Sequence, residues 1–449
     1  MRQMEYYRTV QPITRRELMR LALPGMLFAV MTHAYRTVDQ FWIQGVSTEA
    51  QAAIGSSVFV LITFFAAFEL VSGGAGPLIA RATGANDPDA RRRVLGTALW
   101  AAVGIGLLVS AVGGAGAPWL SAALGLSGQT AAECTTYLRV ISLTILPLAL
   151  TPLVDQSFIA QGDTRSPMIL QGLSLGLNFA LTPLLIFEAG GYGLGLGIAG
   201  AALASNGSRA VATAIGLAWL TERTGLRWAD VRPSAELRRV LKVGSPIAMG
   251  VLTYALVYWA LLYFVVSPLG PHVNAALGIG FSALEAVTWP AFHGVSLAVA
   301  SVVGRSLGAG RPEEARRVVK LALPLITGMG IVASLAFWLG GAFLTGLFTD
   351  DPSVHAAATT YAVILAASQL AVAWEALFEG ALAGAGDTET VFWLSTPANV
   401  LRVPLAWALA LSFGWGAAGI WWAINVTTWA KAAGKGYMTW RGRWAELEI

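Results

Sequence analysis

Long apolar stretches alternate with short polar connections along almost the whole chain. Each stretch is long enough for a helix to cross a bilayer, because about 20 residues with a rise of about 1.5 Å span about 30 Å. The stretches cover residues 21–46, 52–80, 94–117, 134–160, 167–188, 195–219, 241–267, 274–303, 317–345, 356–384, 391–412 and 416–437. The pattern therefore predicts an all-α integral membrane protein with twelve transmembrane helices.

The composition agrees with a chain that lies mostly in lipid. Of its 449 residues, 56% are hydrophobic and 12% are charged, whereas a soluble domain has about 25% charged residues. The net charge of +4 does not indicate nucleic acid binding, because the positive residues lie mainly in short connections between the predicted spans. Membrane lipid is therefore an expected partner, and nucleic acid is not.

The positive residues also give the expected orientation. Of the 29 Lys and Arg residues, 25 lie before the first span or in connections that follow even-numbered spans, with Lys431 and Lys435 placed at the end of the twelfth. The positive-inside rule then predicts a multi-pass protein of the inner (cytoplasmic) membrane with both termini in the cytoplasm. The other four positive residues lie inside spans, and they are Arg36, Arg139, Arg209 and Arg402.

The two halves of the chain repeat each other. The segment 81–88, Arg-Ala-Thr-Gly-Ala-Asn-Asp-Pro, returns at 305–312 as Arg-Ser-Leu-Gly-Ala-Gly-Arg-Pro, and the Gly-Asp-Thr at 162–164 returns at 386–388. Because six spans is an even number, both halves enter the membrane in the same direction. The sequence thus predicts two six-helix repeats related by a parallel pseudo-two-fold axis, with a binding site between them near the midplane.

A polar segment between the sixth and seventh spans marks the expected boundary, with one lobe over residues 1–230 and the other over 231–449. The repeated motifs have a structural interpretation. Gly84 and Gly308 are expected to end helices in left-handed caps, and the Gly-Asp-Thr segments suit helix N-caps.

The first span carries the most informative ionisable residue. A charge near the bilayer centre costs about 3 kcal/mol, so such residues face a bundle interior or a watery cavity. Asp39 lies three residues after Arg36, hence on the same helical face. Either Asp39 titrates in a cavity, or the two side chains form a buried pair that only fixes packing.

Other ionisable and aromatic residues within the spans extend this candidate site. Asp155 and Glu379 occupy equivalent repeat positions, eight residues before the Asp of each Gly-Asp-Thr. Glu375 and Glu379 lie one helical turn apart, so we expect coupled titrations, as suits proton carriers. Tyr35, Tyr254 and Trp374 could hold aromatic cations, although aromatic side chains in spans are often packing residues or interfacial anchors.

These motifs, taken together and in order, resemble the multidrug and toxic compound extrusion (MATE) family. The resemblance covers almost the whole chain. It is carried by Pro24, Val38-Asp39, Gly84-Ala85, Gly162-Asp163-Thr164, Gly200-Ala201-Ala202-Leu203-Ala204, Gly244-Ser245-Pro246, Val266-Ser267-Pro268-Leu269-Gly270, Gly308-Ala309-Gly310 and Gly386-Asp387-Thr388. It implies an antiporter that exports organic, often cationic, compounds while H⁺ or Na⁺ moves inward, without any other cofactor.

The resemblance also implies roles for residues, and this chain departs from the family at some of them. The coupling acid of the family's first helix falls on Asp39. Asn178 matches the family's asparagine on the fifth span, but Thr182 stands where some members have a second acid, and Tyr254 and Val372 replace acids found in other members. Because Thr182 cannot supply a carboxylate to a Na⁺ site, H⁺ is the expected coupling ion, with Na⁺ at Asp39 as the alternative.

The expected site therefore has two sets of residues. The coupling residues are Asp39, Asp155, Glu375 and Glu379. The substrate cavity is expected at Arg36, Tyr35, Asn178, Thr182, Tyr254 and Trp374.

Other function classes fit the sequence less well. A lipid-linked-oligosaccharide flippase of the wider superfamily is the alternative, because Arg36 and Arg402 could meet a pyrophosphate. An enzyme is not expected, since the four histidines form no metal-binding pattern and no Ser-His-Asp order stands out. We expect the protein to act as a monomer on small organic substrates.

Overall fold

The computed structural model describes residues 13–188 and 193–449, without the side chains of residues 36, 37, 282 and 283. Over these ranges the chain is helical and has no β-strand. The α-helices are α1 Arg15–Ile43, α2 Thr48–Gly84, α3 Pro88–Ala123, α4 Gly128–Leu143, α5 Leu146–Ala160, α6 Arg165–Ile186, α7 Gly197–Thr224, α8 Glu236–Leu261, α9 Pro271–Ile279, α10 Glu285–Gly308, α11 Pro312–Gly346, α12 Pro352–Ala385, α13 Thr388–Trp407 and α14 Ala417–Arg441. A π-helical turn, Gly280–Leu284, joins α9 to α10.

These helices form the twelve transmembrane rods that the sequence predicts. Within the described ranges, eight helices are long and apolar enough to cross a membrane, and α4 with α5 forms a ninth span that bends by 55°. The remaining spans are α7, α13 and α14, which carry more polar residues, among them Arg209, Arg402 and Lys435. We call α1–α7 the first half and α8–α14 the second half. Each half has six spans, because α4 and α5 form one bent span and α9 continues through the π-helical turn into α10.

The Gly-Asp-Thr segments make the same contact in both halves. The Thr164 hydroxyl donates at 2.7 Å to the carbonyl oxygen of Leu21, and the Thr388 hydroxyl donates at 2.7 Å to that of Val243. Each threonine therefore ties the start of one helix to the first rod of its own half. Because the two contacts match in partners and in distance, the repeat seen in the sequence is also a repeat of structure.

Asp163 fixes the corner between α5 and α6. Its carboxylate accepts from the backbone N–H groups of Arg165 and Ser166 at 3.0 Å and from the Arg223 guanidinium at 2.5 Å. Burial alone would raise the pKa of Asp163, but the hydrogen bonds from Ser166 and the charge of Arg223 outweigh it and hold the pKa below its ordinary value. The corner thus has a structural role.

Gly84 and Gly308 place the ends of α2 and α10 in direct backbone contact. A Cβ atom on Gly84 would lie 1.9 Å from the carbonyl oxygen of Arg305, and a Cβ on Gly308 would lie 2.0 Å from that of Arg81. The two contacts are reciprocal, as a two-fold relation between the halves requires. We call the end of the bundle that carries Arg81 and Arg305 the arginine-rich face.

The prediction that these two glycines form left-handed caps is wrong. Gly84 and Gly308 are the last residues of their helices, and the left-handed residues are instead Asn86, with φ of 54°, and Gly310, with φ of 70°. Glycine is required at the helix ends because the neighbouring backbone leaves no room for a side chain. The motif therefore marks a contact between the halves.

Further contacts close the halves against each other towards the arginine-rich face. A Cβ on Gly294 would lie 2.3 Å from the backbone nitrogen of Met26, and a Cβ on Gly74 would lie 2.0 Å from the carbonyl oxygen of Val240. The start of α1 is also part of the apolar core that α10, α11 and α12 form. The two halves are thus packed tightly at this end of the bundle.

The segment that follows α14 contacts both halves at the arginine-rich face. Trp444 is buried in the apolar core of α10–α12. Arg81, from the first half, donates from Nη2 to the carbonyl oxygens of Leu447 at 2.6 Å and of Ala385 at 2.9 Å. These hydrogen bonds tie the second half to α2 and add to the closure of the arginine-rich face.

Candidate functional site

Asp39 lies within the first half, where three helices meet around its carboxylate. The residue is on α1 and is only 8% exposed. The hydroxyl of Ser205 on α7 donates to both carboxylate oxygens, at 3.1 and 2.9 Å, and Nδ2 of Asn178 on α6 approaches one of them at 3.4 Å. A buried carboxylate is stable only with such partners. The structure therefore brings the predicted residues Asp39 and Asn178 together.

The amide of Asn178 leaves one acceptor open beside this carboxylate. Nδ2 also donates to the Ser205 hydroxyl at 3.1 Å, whereas the buried Oδ1 has no hydrogen-bond partner among the described residues. The hydroxyl of Thr182 donates to the main-chain carbonyl of Asn178 at 2.6 Å. An unpaired buried acceptor costs about 1–3 kcal/mol. Thr182 thus holds the α6 backbone, and Asn178 offers a free lone pair at the site.

Arg209 supplies the positive charge nearest to this cluster among the described side chains. It acts electrostatically on Asp39, and its guanidinium carbon lies 3.9 Å from the ring centroid of Tyr35. The Tyr35 hydroxyl bonds with the hydroxyls of Ser174 and Ser208, the latter at 3.2 Å. Tyr35 is 2% exposed, so its ring is part of the network. The predicted partner Arg36 has a side chain outside the described part of the structure.

Sequence reasoning missed Ser205 as a functional residue and treated Arg209 only as one of several possible ion-pair partners. The signal was present, because the polar segment 205–209 interrupts an apolar span. Nothing in the sequence showed that this segment faces Asp39, which lies far away along the chain.

Asp155 lines a small separate cavity in the first half. The residue is 6% exposed, and no hydrogen bond or ion pair to its carboxylate is found within residues 13–188 and 193–449. The cavity is lined by Thr151, Val154, Asp155, Leu170, Gln171, Ser174, Arg209, Ala212 and Thr213. The cavity therefore lies near the Asp39 cluster, because Ser174 and Arg209 line the cavity and also contact Tyr35. Asp155 itself is not hydrogen-bonded to that cluster.

Glu375 and Glu379, in the second half, share a lysine. Nζ of Lys435 donates to Glu375 Oε1 at 2.8 Å and to Glu379 Oε2 at 2.5 Å, and Nζ of Lys431 lies 3.0 Å from Glu375 Oε1. The sequence placed both lysines at the end of the twelfth span, but the structure buries Lys435 completely inside α14. A cation therefore lies between the two carboxylates, which the sequence did not show, and the coupling of their titrations stays a prediction.

This shared cation leads to a prediction about stability. Lys435→Met is expected to lower the free energy of unfolding by about 3 kcal/mol, because it leaves buried carboxylates without their counter-charge. Glu379→Gln is expected to cost less, since Lys435 keeps Glu375 as partner and the Glu379 side chain is 47% exposed. Thermal unfolding in detergent measures both effects. A Lys435→Met variant as stable as the wild type would contradict this description.

Of the predicted aromatic residues, Tyr35 lies beside Asp39, whereas Tyr254 and Trp374 lie in the second half. The Tyr254 ring is 42% exposed, and its centroid lies 4.6 Å from that of Tyr258. Arg402 donates to the Tyr258 hydroxyl at 2.9 Å. Trp374 donates from Nε1 to the Thr327 hydroxyl at 2.9 Å. The predicted residues are thus divided between the two halves, with Asp39, Asp155, Tyr35, Asn178 and Thr182 in the first and Glu375, Glu379, Tyr254 and Trp374 in the second.

Comparison with known proteins gives matches over most of the chain. The family model described as MatE matches residues 24–184 and again residues 246–408. The probable multidrug resistance protein NorM of Thermotoga maritima is 27% identical over 421 residues, which are 91% of this chain and 89% of that protein. The multidrug export protein MepA of Staphylococcus aureus is 24% identical over 428 residues, 94% of this chain and 92% of that protein.

Solved structures share the fold. One of them, described as the outward-facing conformation of a multidrug resistance MATE family transporter, superposes with a TM-score of 0.87 and 20% identity over 97% of both chains. The shared architecture extends to twelve helices in two repeats.

Proposed function

This chain belongs to the MatE family, and on that basis we propose that it is an ion-coupled antiporter that exports organic, mainly cationic, compounds across the cytoplasmic membrane. The names of its relatives NorM and MepA support multidrug efflux as the activity. We also propose that the arginine-rich face is cytoplasmic, following the positive-inside rule, and that the protein acts as a monomer.

The observation that carries the proposal is the buried carboxylate of Asp39, held between α1, α6 and α7 beside an unpaired acceptor. Among the described side chains the carboxylate forms no ion pair and accepts only from the Ser205 hydroxyl and the Asn178 amide. A proton can therefore be added to Asp39 without breaking a salt bridge. The cluster can thus exist in two charge states, which is what coupling to an ion requires.

H⁺ is the coupling ion that the surroundings of Asp39 favour. The carboxylate is contacted by the donor groups of Ser205 and Asn178, and the positive charge of Arg209 acts on it from further away. A metal ion such as Na⁺ instead needs several oxygen lone pairs directed at it. Thr182 adds none, because its hydroxyl is directed to the backbone.

The closure of the arginine-rich face supports an alternating-access mechanism. The halves are packed at the end that we propose to be cytoplasmic, so access from that side is closed, and rocking of one half against the other would open it. Binding of H⁺ at Asp39 favours the arrangement in which the cationic substrate has lost its counter-charge. Transport follows from the difference in affinity of the two arrangements for ion and substrate.

The other predicted residues take part in this proposal to different degrees. Glu375 and Glu379 remain candidate coupling residues, and both are hydrogen-bonded to Lys435. Tyr254 is the exposed aromatic candidate for contact with substrate.

Transport by the purified protein tests this function. We expect proteoliposomes that contain the full chain to move fluorescent organic cations when a pH gradient is imposed, and not when a Na⁺ gradient alone is imposed. Liposomes without protein are the control. Transport driven only by Na⁺ would overturn the choice of ion, and no transport of any tested compound under either gradient would overturn the function.

The flippase alternative gains no support from the contacts. It rested on intramembrane arginines that could meet a pyrophosphate. Arg402 is 2% exposed and donates to the hydroxyls of Thr427 and Tyr258, so it is not presented to a ligand.

A further inference from the structure

The two halves can be compared residue by residue at α5 and α12. Asp155 and Glu379 each lie eight residues before the Asp of a Gly-Asp-Thr segment, and Thr151 and Glu375 each lie twelve before it. The threonines of those segments make the same contacts in both halves. Asp155 is therefore the counterpart of Glu379, and Thr151 is the counterpart of Glu375.

A matching contact aligns α7 with α14. Nδ2 of Asn206 donates to the carbonyl oxygen of Ile141 at 2.9 Å, and Nδ2 of Asn425 donates to that of Ile364 at 2.7 Å. The two asparagines thus hold the same place in the two repeats, and they fix which residues of the two helices correspond.

Counting from these asparagines shows which residues of the first half correspond to the lysines. Ala212 lies six residues after Asn206, as Lys431 lies six after Asn425, so Ala212 corresponds to Lys431. By the same count of ten residues, Gly216 corresponds to Lys435. Where the second half has two lysine side chains, the first half has an alanine and a glycine. Leu170 and Val154 fill the space beside Gly216, since a Cβ there would lie 2.8 Å from each of their side chains, so the open volume lies at Ala212.

The first half has a cavity at this place. Thr151, Asp155 and Ala212, the counterparts of Glu375, Glu379 and Lys431, all line it. The Lys435 ammonium lies between two carboxylates in the second half. The carboxylate of Asp155 has no cation bound to it among the described residues, although burying an unpaired carboxylate is costly.

We propose that the cavity beside Asp155 binds a small monovalent cation, of which Na⁺ is the example, where the counterpart of Lys431 is the small side chain of Ala212. This site is distinct from the Asp39 cluster. It deepens the proposed function and rests on it for its role in transport: H⁺ at Asp39 drives export, and the cation beside Asp155 stabilises the half that carries Asp39.

The lining residues suit such a ligand. Besides the Asp155 carboxylate, oxygen atoms are available from the side chains of Thr151, Gln171, Ser174 and Thr213, and oxygen is the donor that hard cations prefer. The hydroxyls of Thr151 and Thr213 are 2.7 Å apart, and each oxygen keeps a lone pair for a ligand. Arg209 also lines the cavity, so a second positive charge on the ligand would be unfavourable, and an organic cation would be too large for the space.

Thermal unfolding of the purified full chain tests this site without gradient or drug. Na⁺ is titrated at constant ionic strength against N-methyl-D-glucamine. We expect the unfolding temperature of the wild type to rise with Na⁺ and that of Asp39→Asn to rise likewise. Asp155→Asn should raise the half-saturating Na⁺ concentration at least tenfold. A Na⁺ response that Asp155→Asn leaves unchanged, or a wild type that responds to pH but not to Na⁺, overturns the proposal.

A lysine placed in the cavity gives a second, independent test. Ala212→Lys should supply the missing cation, so that the variant has a higher unfolding temperature in the absence of Na⁺ and no longer responds to Na⁺. Ala212→Met is the matched control, since it fills the space without charge and should lose the Na⁺ response without that gain. If the two variants are equally stable without Na⁺, the proposal is wrong. Neither result depends on export, so failure here leaves the proposed function standing, and failure of transport leaves this site standing.

Discussion

Asp39→Asn is expected to lower ion-driven export by about 100-fold, the upper range for coupling between two sites, while the protein still inserts and folds. The amide has nearly the shape of the carboxyl group, and its oxygen can still accept from the Ser205 hydroxyl. It cannot gain or lose a proton, so the cluster keeps one charge state. The two arrangements of the halves then no longer differ in their affinity for H⁺.

Everted vesicles with an imposed pH gradient measure this loss. Exchange of labelled for unlabelled substrate, without a gradient, should persist in the same vesicles, because it does not require coupling. Asp89→Asn is the matched control, since that carboxylate is exposed and pairs with Arg92. Gradient-driven export by Asp39→Asn at the wild-type rate would refute the role that we assign to Asp39.

Gly84→Val is expected to abolish transport for a different reason. A Cβ at this position would lie 1.9 Å from the carbonyl oxygen of Arg305, and the clash involves backbone on both sides. Such overpacking costs about 1–3 kcal/mol or more, which reduces the population of the closed arrangement by about 10–100-fold. The protein should therefore remain open at the arginine-rich face.

Labelling of a cysteine placed beside the contact between Gly84 and Arg305 reports this opening. In Ser306→Cys, a water-soluble maleimide added from the cytoplasmic side should react faster when Gly84→Val is also present. The native Cys134 is buried, so it adds little background. Gly104→Val is the matched control, because no atom lies within 4 Å of a Cβ at that position. Equal labelling and equal transport in the two valine variants would show that the contact between the ends of α2 and α10 does not close during the transport cycle.

Lys435 shows where sequence reasoning was limited at the candidate site. A charge in a hydropathy profile indicates the end of a span, because burying it alone is costly. The cost falls when a carboxylate on another helix lies within hydrogen-bond distance, as Glu375 and Glu379 do here. Which carboxylate meets which lysine depends on helix packing, which no local pattern contains.

Asp39 shows the opposite case. Its position in an apolar span was sufficient to predict a carboxylate turned away from lipid, because a charge that faces the acyl chains is costly, and the structure buries it. Its partners Ser205 and Asn178 were only visible once α6 and α7 were packed against α1. The same holds for Gly84, where the sequence showed a glycine but only the structure showed that the backbone of the other half excludes a side chain.

The sequence by itself determined the number of membrane-crossing helices, their grouping into two repeats and the presence of an acid on the first helix. These follow from composition and spacing, because the thickness of the bilayer and the cost of buried charge act on each segment separately. Only the tertiary structure decided that Ser205 donates to Asp39 and that the charge of Arg209 acts on it. It also decided that Lys435 joins Glu375 to Glu379, and that Asp155 lines a cavity whereas its counterpart Glu379 is paired with a lysine. These depend on contacts between helices that are distant in the chain, and such contacts form only when whole helices pack.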